Sequence, residues 1–138
     1  MIRLTPLLKE HLFFLLEVRN HETTKYNLED DREFNLEHCQ GWFETLNHPW
    51  YIILNDDTPV GYIRTNGDEI GCDIHPNYRR NGYARNAYNL ILEGLPTASL
   101  WVFDDNFAKT LYQELGFNET GEKKIVRGRN YIKMVYIK

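Results

Sequence analysis

Arg79-Arg80-Asn81-Gly82-Tyr83-Ala84 lies between a stretch that reads as a strand and one that reads as a helix. Upstream, Glu69 to His75 has strand character that Pro76 ends, because proline cannot donate to a ladder. Downstream, Ala84, Ala87, Tyr88, Ile91, Leu92 and Leu95 recur at helical spacing and draw one apolar stripe. A helix start presents unpaired N–H groups and the positive end of a dipole, so anions bind there readily. Gly82 and Ala84 keep the turn thin enough for phosphate oxygens to reach the backbone. Arg79 and Arg80 add charge that can pair bidentately, unless they are merely solvated. Arg85, just inside the helix, reads as solvent-facing. The turn is a pyrophosphate site before it is anything else.

Working outward, Ile2 to Leu4 reads as a short strand, and Thr5 with Pro6 reads as the cap and first position of a helix running to about Val18. Residues 20–34 are polar and acidic and read as a loop with at most a helical turn. Asn35 caps a second helix whose face is Leu36, Cys39, Trp42, Phe43 and Leu46. Trp50–Leu54 and Val60–Thr65 follow as strands around a turn at Asn55-Asp56-Asp57, and Asn66-Gly67 is a hairpin signal into the strand before the phosphate turn. Leu100–Phe103 reads as a buried strand, Asn106 opens another helix, and Phe117–Thr120 and Tyr131–Ile137 are the last strands.

The bulk properties set limits. At 138 residues the chain is expected to be one domain, 1–138, with a core of useful size. A formal charge of −4 argues against nucleic acid as the main partner. No apolar run approaches the roughly 18 residues of a membrane span, and no basic leader precedes an apolar signal core. Cys39 and Cys72 have neither metal spacing nor a disulfide pattern, so no metal is expected and the compartment reads as cytoplasmic. Cys72, mid-strand, reads as a small buried hydrophobe.

The turn lacks both the nucleoside-triphosphatase loop and the three-glycine dinucleotide fingerprint. Arg79-x-x-Gly82-x-Ala84 instead resembles the signature of the GNAT superfamily of acetyl-CoA-dependent N-acetyltransferases. A second block, Asn106-Phe107-Ala108, Leu111-Tyr112 and Leu115-Gly116-Phe117, is similar to that family's downstream helix and following strand. The resemblance covers residues 50 to 120 well and the first 48 loosely. It implies an α/β (α+β) fold: a mixed, mostly antiparallel sheet splayed between two strands and flanked by about four helices. The two strands would be Glu69–His75 and Leu100–Phe103. Acetyl-CoA would lie in the splay, its pantetheine on backbone groups around Cys72, Asp73 and Ile74. Its pyrophosphate would sit on Arg79, Arg80, Asn81, Gly82, Tyr83 and Ala84. Unpaired strand groups suit those pantetheine amides.

Tyr112 has two readings. Its place on the helix face with Ala108 and Leu115 suits a core aromatic that hydrogen-bonds its tip. By resemblance it is the tyrosine that gives a proton to the leaving thiolate, which a phenol with a pKa of about 10 can do. Asn106 caps its helix and, by resemblance, contacts the cofactor. The general base, by resemblance on the strand before the turn, falls near Asp68 or Glu69, and alternation lets only one of them face the cleft. His75, beside Pro76, reads as structural, and the facing of Asp73 is undecided.

The acceptor is read from two segments. Val18-Arg19-Asn20 with Thr23, Thr24 and Lys25 resembles a segment of the amino-sugar and ribosomal-protein N-terminal branches of the superfamily; otherwise it is a polar helix end. Lys123, Lys124, Arg127 and Arg129 crowd the last hairpin and would suit a phosphate-bearing acceptor, or else protect a sheet edge. The expectation is an N-acetyltransferase acting on a small amine such as a nucleotide-linked amino sugar. The alternatives are a protein α-amine and a non-catalytic acyl-CoA-binding module. Monomer and homodimer both stay open.

Overall fold

Apolar residues occur back to back in the middle of the chain. Ile52, Ile53 and Leu54 of β2 (Trp50–Asn55) and Tyr62 and Ile63 of β3 (Thr58–Asn66) are all buried. Successive strand residues face opposite ways, so such runs require cover on both faces of a sheet. The computed structural model, which describes residues 1–138, supplies that cover. Ile53 and Ile63 pack with Ala87, Tyr88 and Leu92 of α4 (Tyr83–Leu92) and with Phe117. Ile52, Leu54 and Tyr62 pack with Leu12, Leu15 and Leu16 of α1 (Leu12–Arg19) and Cys39 of α3 (Leu36–Glu44).

The sheet has seven strands in the order β1-β2-β3-β4-β5-β7-β6, with β1 Ile2–Pro6, β4 Glu69–Ile74, β5 Thr97–Phe103, β6 Asn118–Val126 and β7 Arg129–Ile137. Every neighbouring pair is antiparallel except β4 and β5, which run parallel and are in register only at Glu69 and Ser99. Beyond that point they part. β4 stays with β3 to Ile74, while β5 stays with β7 from Thr97 to Phe103. The short α2 (Glu22–Lys25) and α5 (Ala108–Leu115) complete the helices, and α2 is the helical turn expected in the 20–34 loop. No helix is long and apolar enough to cross a membrane.

Two local expectations are corrected. Thr5 and Pro6 do not cap a helix; they pair with Ile52 and Tyr51 as the end of β1. β1 is an edge strand, and an edge tolerates proline. The helix begins later, after a turn in which His11 Nδ1 accepts the Leu8 N–H at 2.9 Å. The β3–β4 loop is Gly67-Asp68, with Gly67 at φ 63° and Asn66 still paired to Glu69. Asn35 does cap α3, accepting the His38 N–H at 2.8 Å.

Candidate active site

The parting strands and the two helices behind them enclose a cleft of about 810 Å³. At its closed end Ser99 N–H donates to the Asp68 carbonyl at 2.8 Å and Ser99 Oγ to the Asp68 carboxylate at 3.1 Å. Asp68 therefore fastens β4 to β5 outside the cleft, which removes it as a candidate base. His75 N–H donates to the Val60 carbonyl, and hydrogen-bonded pairs alternate along an antiparallel ladder. The backbone of Gly71 and Asp73 thus faces β3, and that of Cys72 and Ile74 faces the opening. Of the three residues expected to hold pantetheine, Asp73 gives its backbone to β3, while Cys72 and Ile74 leave theirs turned to the opening.

At the open end the chain turns into α4. No backbone N–H from Arg79 through Arg85 finds an acceptor in the protein. Arg80 and Gly82 hold left-handed φ values of 67° and 76°, and nothing lies within 4 Å of where a Gly82 side chain would begin. Amides converging from such a turn and a helix start make an anion nest. The pyrophosphate of acetyl-CoA fits these groups. Side chains at the turn divide. Arg80 is exposed with no partner, whereas Arg79 turns back to the Ile74 carbonyl (3.1 Å), Thr23 (2.6 Å) and Thr24 (2.9 Å). The expectation that Arg79 pairs with phosphate through its side chain is corrected: its guanidinium ties α2 to the end of β4. Asn81 donates to the Tyr78 carbonyl, and the Tyr83 hydroxyl accepts from Asn55 at 2.9 Å, so both serve the turn through backbone. Ala84 lines the cleft, and Arg85 pairs with Glu114.

Across the opening, Asn106 Oδ1 accepts the Ala108 N–H at 3.0 Å, the expected cap, and its amide nitrogen is unengaged at the cleft wall. Tyr112 lies against Tyr88, ring centroids 5.3 Å apart, and borders the cleft beside Cys72. Burial pushes the Tyr112 phenol well above its ordinary range; the nearby Cys72 thiol adds to this and a hydrogen bond with Tyr88 offsets part. Burial likewise pushes up the Cys72 thiol. Tyr112 thus holds its proton firmly.

The other face of β4 carries Glu69, Gly71 and Asp73. Tyr62 donates its hydroxyl to Asp73 at 2.8 Å. Burial pushes the Asp73 carboxyl up to about 6, while that hydrogen bond and the charges of Arg79 and Arg64 pull it down. Glu69 lines the same face and accepts from Arg64 at 3.2 Å. Sequence reasoning left Asp73 undecided; the available signal was a lone carboxylate inside the apolar run Ile70-Gly71-Cys72-Asp73-Ile74. His75 is structural, as expected, its Nδ1 accepting the Asn77 N–H at 3.1 Å.

The rim of this face is residues 26–32, held by arginines. Arg19 donates to the Arg32 and Asp30 carbonyls (2.6 and 2.9 Å), Arg127 to those of Leu28 and Glu29 (2.6 and 2.9 Å), and Arg129 to the Tyr26 carbonyl and the Asp105 carboxylate. Asn20 exchanges two hydrogen bonds with the Phe34 backbone. Lys124 lies over Trp101 at 4.4 Å and 3.4 Å from Glu29. The Arg-Asn segment and three of the four hairpin cations are therefore engaged within the protein.

A sheet that opens between two parallel strands, with an anion nest at its mouth, is the architecture that the resemblance to the GNAT superfamily implies. The model of the Acetyltransferase (GNAT) family matches residues 14–117, and the chain belongs to that family. It is similar to a mycothiol acetyltransferase of Corynebacterium efficiens, 32% identical over 78 residues. That match takes in 56% of this chain and 25% of the relative, so the chain spans about a quarter of the relative's length. Among solved structures, spermidine N-acetyltransferase from Vibrio cholerae in complex with CoA and spermine superposes with a TM-score of 0.86 at 18% identity, covering 99% of this chain and 95% of that one. Ribosomal-protein-alanine N-acetyltransferase from Brucella melitensis gives 0.82 at 20% identity, covering 100% and 99%. At these identities the likeness is one of fold.

Proposed function

We propose that this chain acetylates the primary amine of a small molecule, with Asp73 as general base and Tyr112 as general acid. Asp73 and Tyr112 sit on opposite faces of β4 and border one cleft, and this arrangement carries the reading. Bound acetyl-CoA supplies a thioester carbonyl as the electrophile. The amine approaches from the Tyr62 face, and Asp73, ionised above about pH 6, takes its proton directly or through water. Backbone N–H groups of Cys72 and Ile74 point into the opening, where they can orient and polarise an acyl carbonyl. On the far side Tyr112, which keeps its proton, hydrogen-bonds the departing sulfur; the burial that raises its phenol also raises thiols there, so the proton can follow as the thiolate forms. No side chain here is an activated nucleophile, so attack is direct. The cofactor contacts in this reading are the backbone of Cys72, Ile74 and residues 79 to 84 and the side chains of Arg80 and Asn106.

A nucleotide-linked amino sugar was the sequence expectation for the acceptor. Engagement of Lys124, Arg127 and Arg129 weakens the part of that expectation resting on the hairpin, and leaves the amine itself as the defining feature. Neighbours of comparable fold likeness are named for spermidine and for a ribosomal protein, so that likeness does not choose between a small amine and a peptide. The test is acetyl-CoA-dependent release of free thiol across amino sugars with and without a nucleotide, polyamines, aminoglycosides and peptides with free N-termini. Turnover confined to small amines supports the proposal. Turnover of peptides alone, or acetyl-CoA binding without turnover of any amine, replaces it with the N-terminal or the binding-module reading.

A further inference from the structure

We propose that the acceptor carries an anionic group, a carboxylate or a phosphate, close to its amine, and that Arg64 holds it. This rests on the acetyltransferase reading above and adds which amine is used. The cations that border the cleft are Arg19, Arg64, Arg79, Arg80, Arg85 and Lys124. Arg19 and Arg79 are spent on carbonyls and threonine hydroxyls, and Arg85 and Lys124 on Glu114 and Glu29. Arg80 belongs to the pyrophosphate turn. Arg64 is different: Nη1 reaches Glu69 at 3.2 Å, while Nε and Nη2 have no partner. Its side chain is 28% exposed and neither free nitrogen is buried, so both donors face the open cleft, where a ligand can take them.

Gly71 makes the bed for this guanidinium. A side chain starting at Gly71 would meet Arg64 Nε at 2.9 Å and Nη2 at 3.1 Å. The guanidinium therefore lies flat on β4, two residues from Asp73 and on the same face. Two strand residues span about 6–7 Å. An acceptor whose amine reaches Asp73 has its neighbouring atoms beside the guanidinium that covers Gly71, within reach of the free Nε and Nη2. Those two donors form the fork that matches a carboxylate or phosphate bidentately. Glu69 uses only the third nitrogen and need not leave.

The test is steady-state kinetics on matched amines: glucosamine against glucosamine 6-phosphate, and alaninamide against alanine. The readout is the anionic-to-neutral ratio of kcat/KM in wild type divided by that ratio in Arg64→Gln, which cancels differences in amine basicity. A fall of about tenfold or more in the variant is expected, in the phosphate pair, the carboxylate pair or both, which names the anion. Arg64→Lys keeps the charge without the fork and should fall in between. An unchanged ratio in Arg64→Gln, or a wild-type preference for the neutral member of both pairs, overturns the proposal. Failure of every amine despite bound acetyl-CoA would instead sink the acetyltransferase reading. The anion site is then read by equilibrium binding of glucosamine 6-phosphate and alanine to CoA-loaded protein: binding lost in Arg64→Gln supports it, and absence of binding in wild type overturns it.

Discussion

The two walls of the cleft, one proposed for the cofactor and one for the acceptor, are built from different materials. The cofactor wall is mostly backbone: unpaired amides from Arg79 to Arg85, the strand edge at Cys72 and Ile74, and left-handed φ values at Arg80 and Gly82. The acceptor wall is mostly side chains, namely Asp73 on Tyr62, Arg64 on Gly71, and arginines holding the carbonyls of residues 26–32. Backbone recognition tolerates changes of side chain, so one cofactor can be kept while the acceptor varies. Damage to the first wall should therefore appear in acetyl-CoA binding, and damage to the second in acceptor use or chemistry.

The largest effect is expected at Asp73. Asp73→Asn should lower kcat/KM by about 100-fold or more, the usual scale for losing a general base. Wild-type activity should rise as pH climbs through about 6, because the base acts ionised, and the variant should lose that limb. Stability should move the other way. The folded-state pKa lies above the ordinary carboxyl value of 3.8, so the fold favours protonated Asp73, and stability falls as pH rises between 3.8 and about 6. At neutral pH the wild type still carries that cost, and Asn should raise Tm by removing about 1–3 kcal/mol of it. A pH–rate profile that keeps its acid limb in Asp73→Asn would move the base elsewhere, with Glu69 next.

Tyr112→Phe comes second. It should lower kcat by about 10–100-fold while KM for acetyl-CoA moves little, since the hydroxyl acts on the leaving group. Unchanged turnover would leave Tyr112 with only the core role that its packing on Tyr88 and Phe117 already gives it.

Gly82→Val tests the backbone wall itself. A β-branched residue at φ 76° is strained by about 1–2 kcal/mol, and the turn should relax away from the nest. KM for acetyl-CoA should rise by about tenfold with KM for the acceptor nearly unchanged. Equal rises in both would show that the two walls are coupled.

What the sequence disclosed follows the same division. The turn at residues 79–84 was legible because glycine, proline and helical periodicity are local signals. The splay was legible only through resemblance, since the single contact at Glu69 and Ser99 joins residues thirty apart. Arg64 is silent in the sequence, because nothing near it in the chain reveals that Gly71 lies beneath it. The hairpin cations look free in the sequence because their partners, residues 26–31, are about a hundred positions away. Charge counted along the chain overstates charge available in the fold.

That last point gives the smallest and most discriminating prediction. Arg129 bridges the Asp105 carboxylate to the Tyr26 carbonyl and Asn27, and its guanidinium stacks on Phe103 at 3.8 Å. If it serves the rim, Arg129→Ala should loosen residues 26–32 and raise KM for the acceptor by a few-fold. KM for acetyl-CoA should hold, and stability should drop by about 1–2 kcal/mol from lost packing and a charged hydrogen bond. If Arg129 instead drew in a phosphate-bearing acceptor, the rise in KM would be confined to phosphorylated amines and would shrink with added salt. A salt-insensitive rise shared by neutral and anionic acceptors is the expected result. It would separate the arginine that shapes the pocket from Arg64, the arginine that reads its contents.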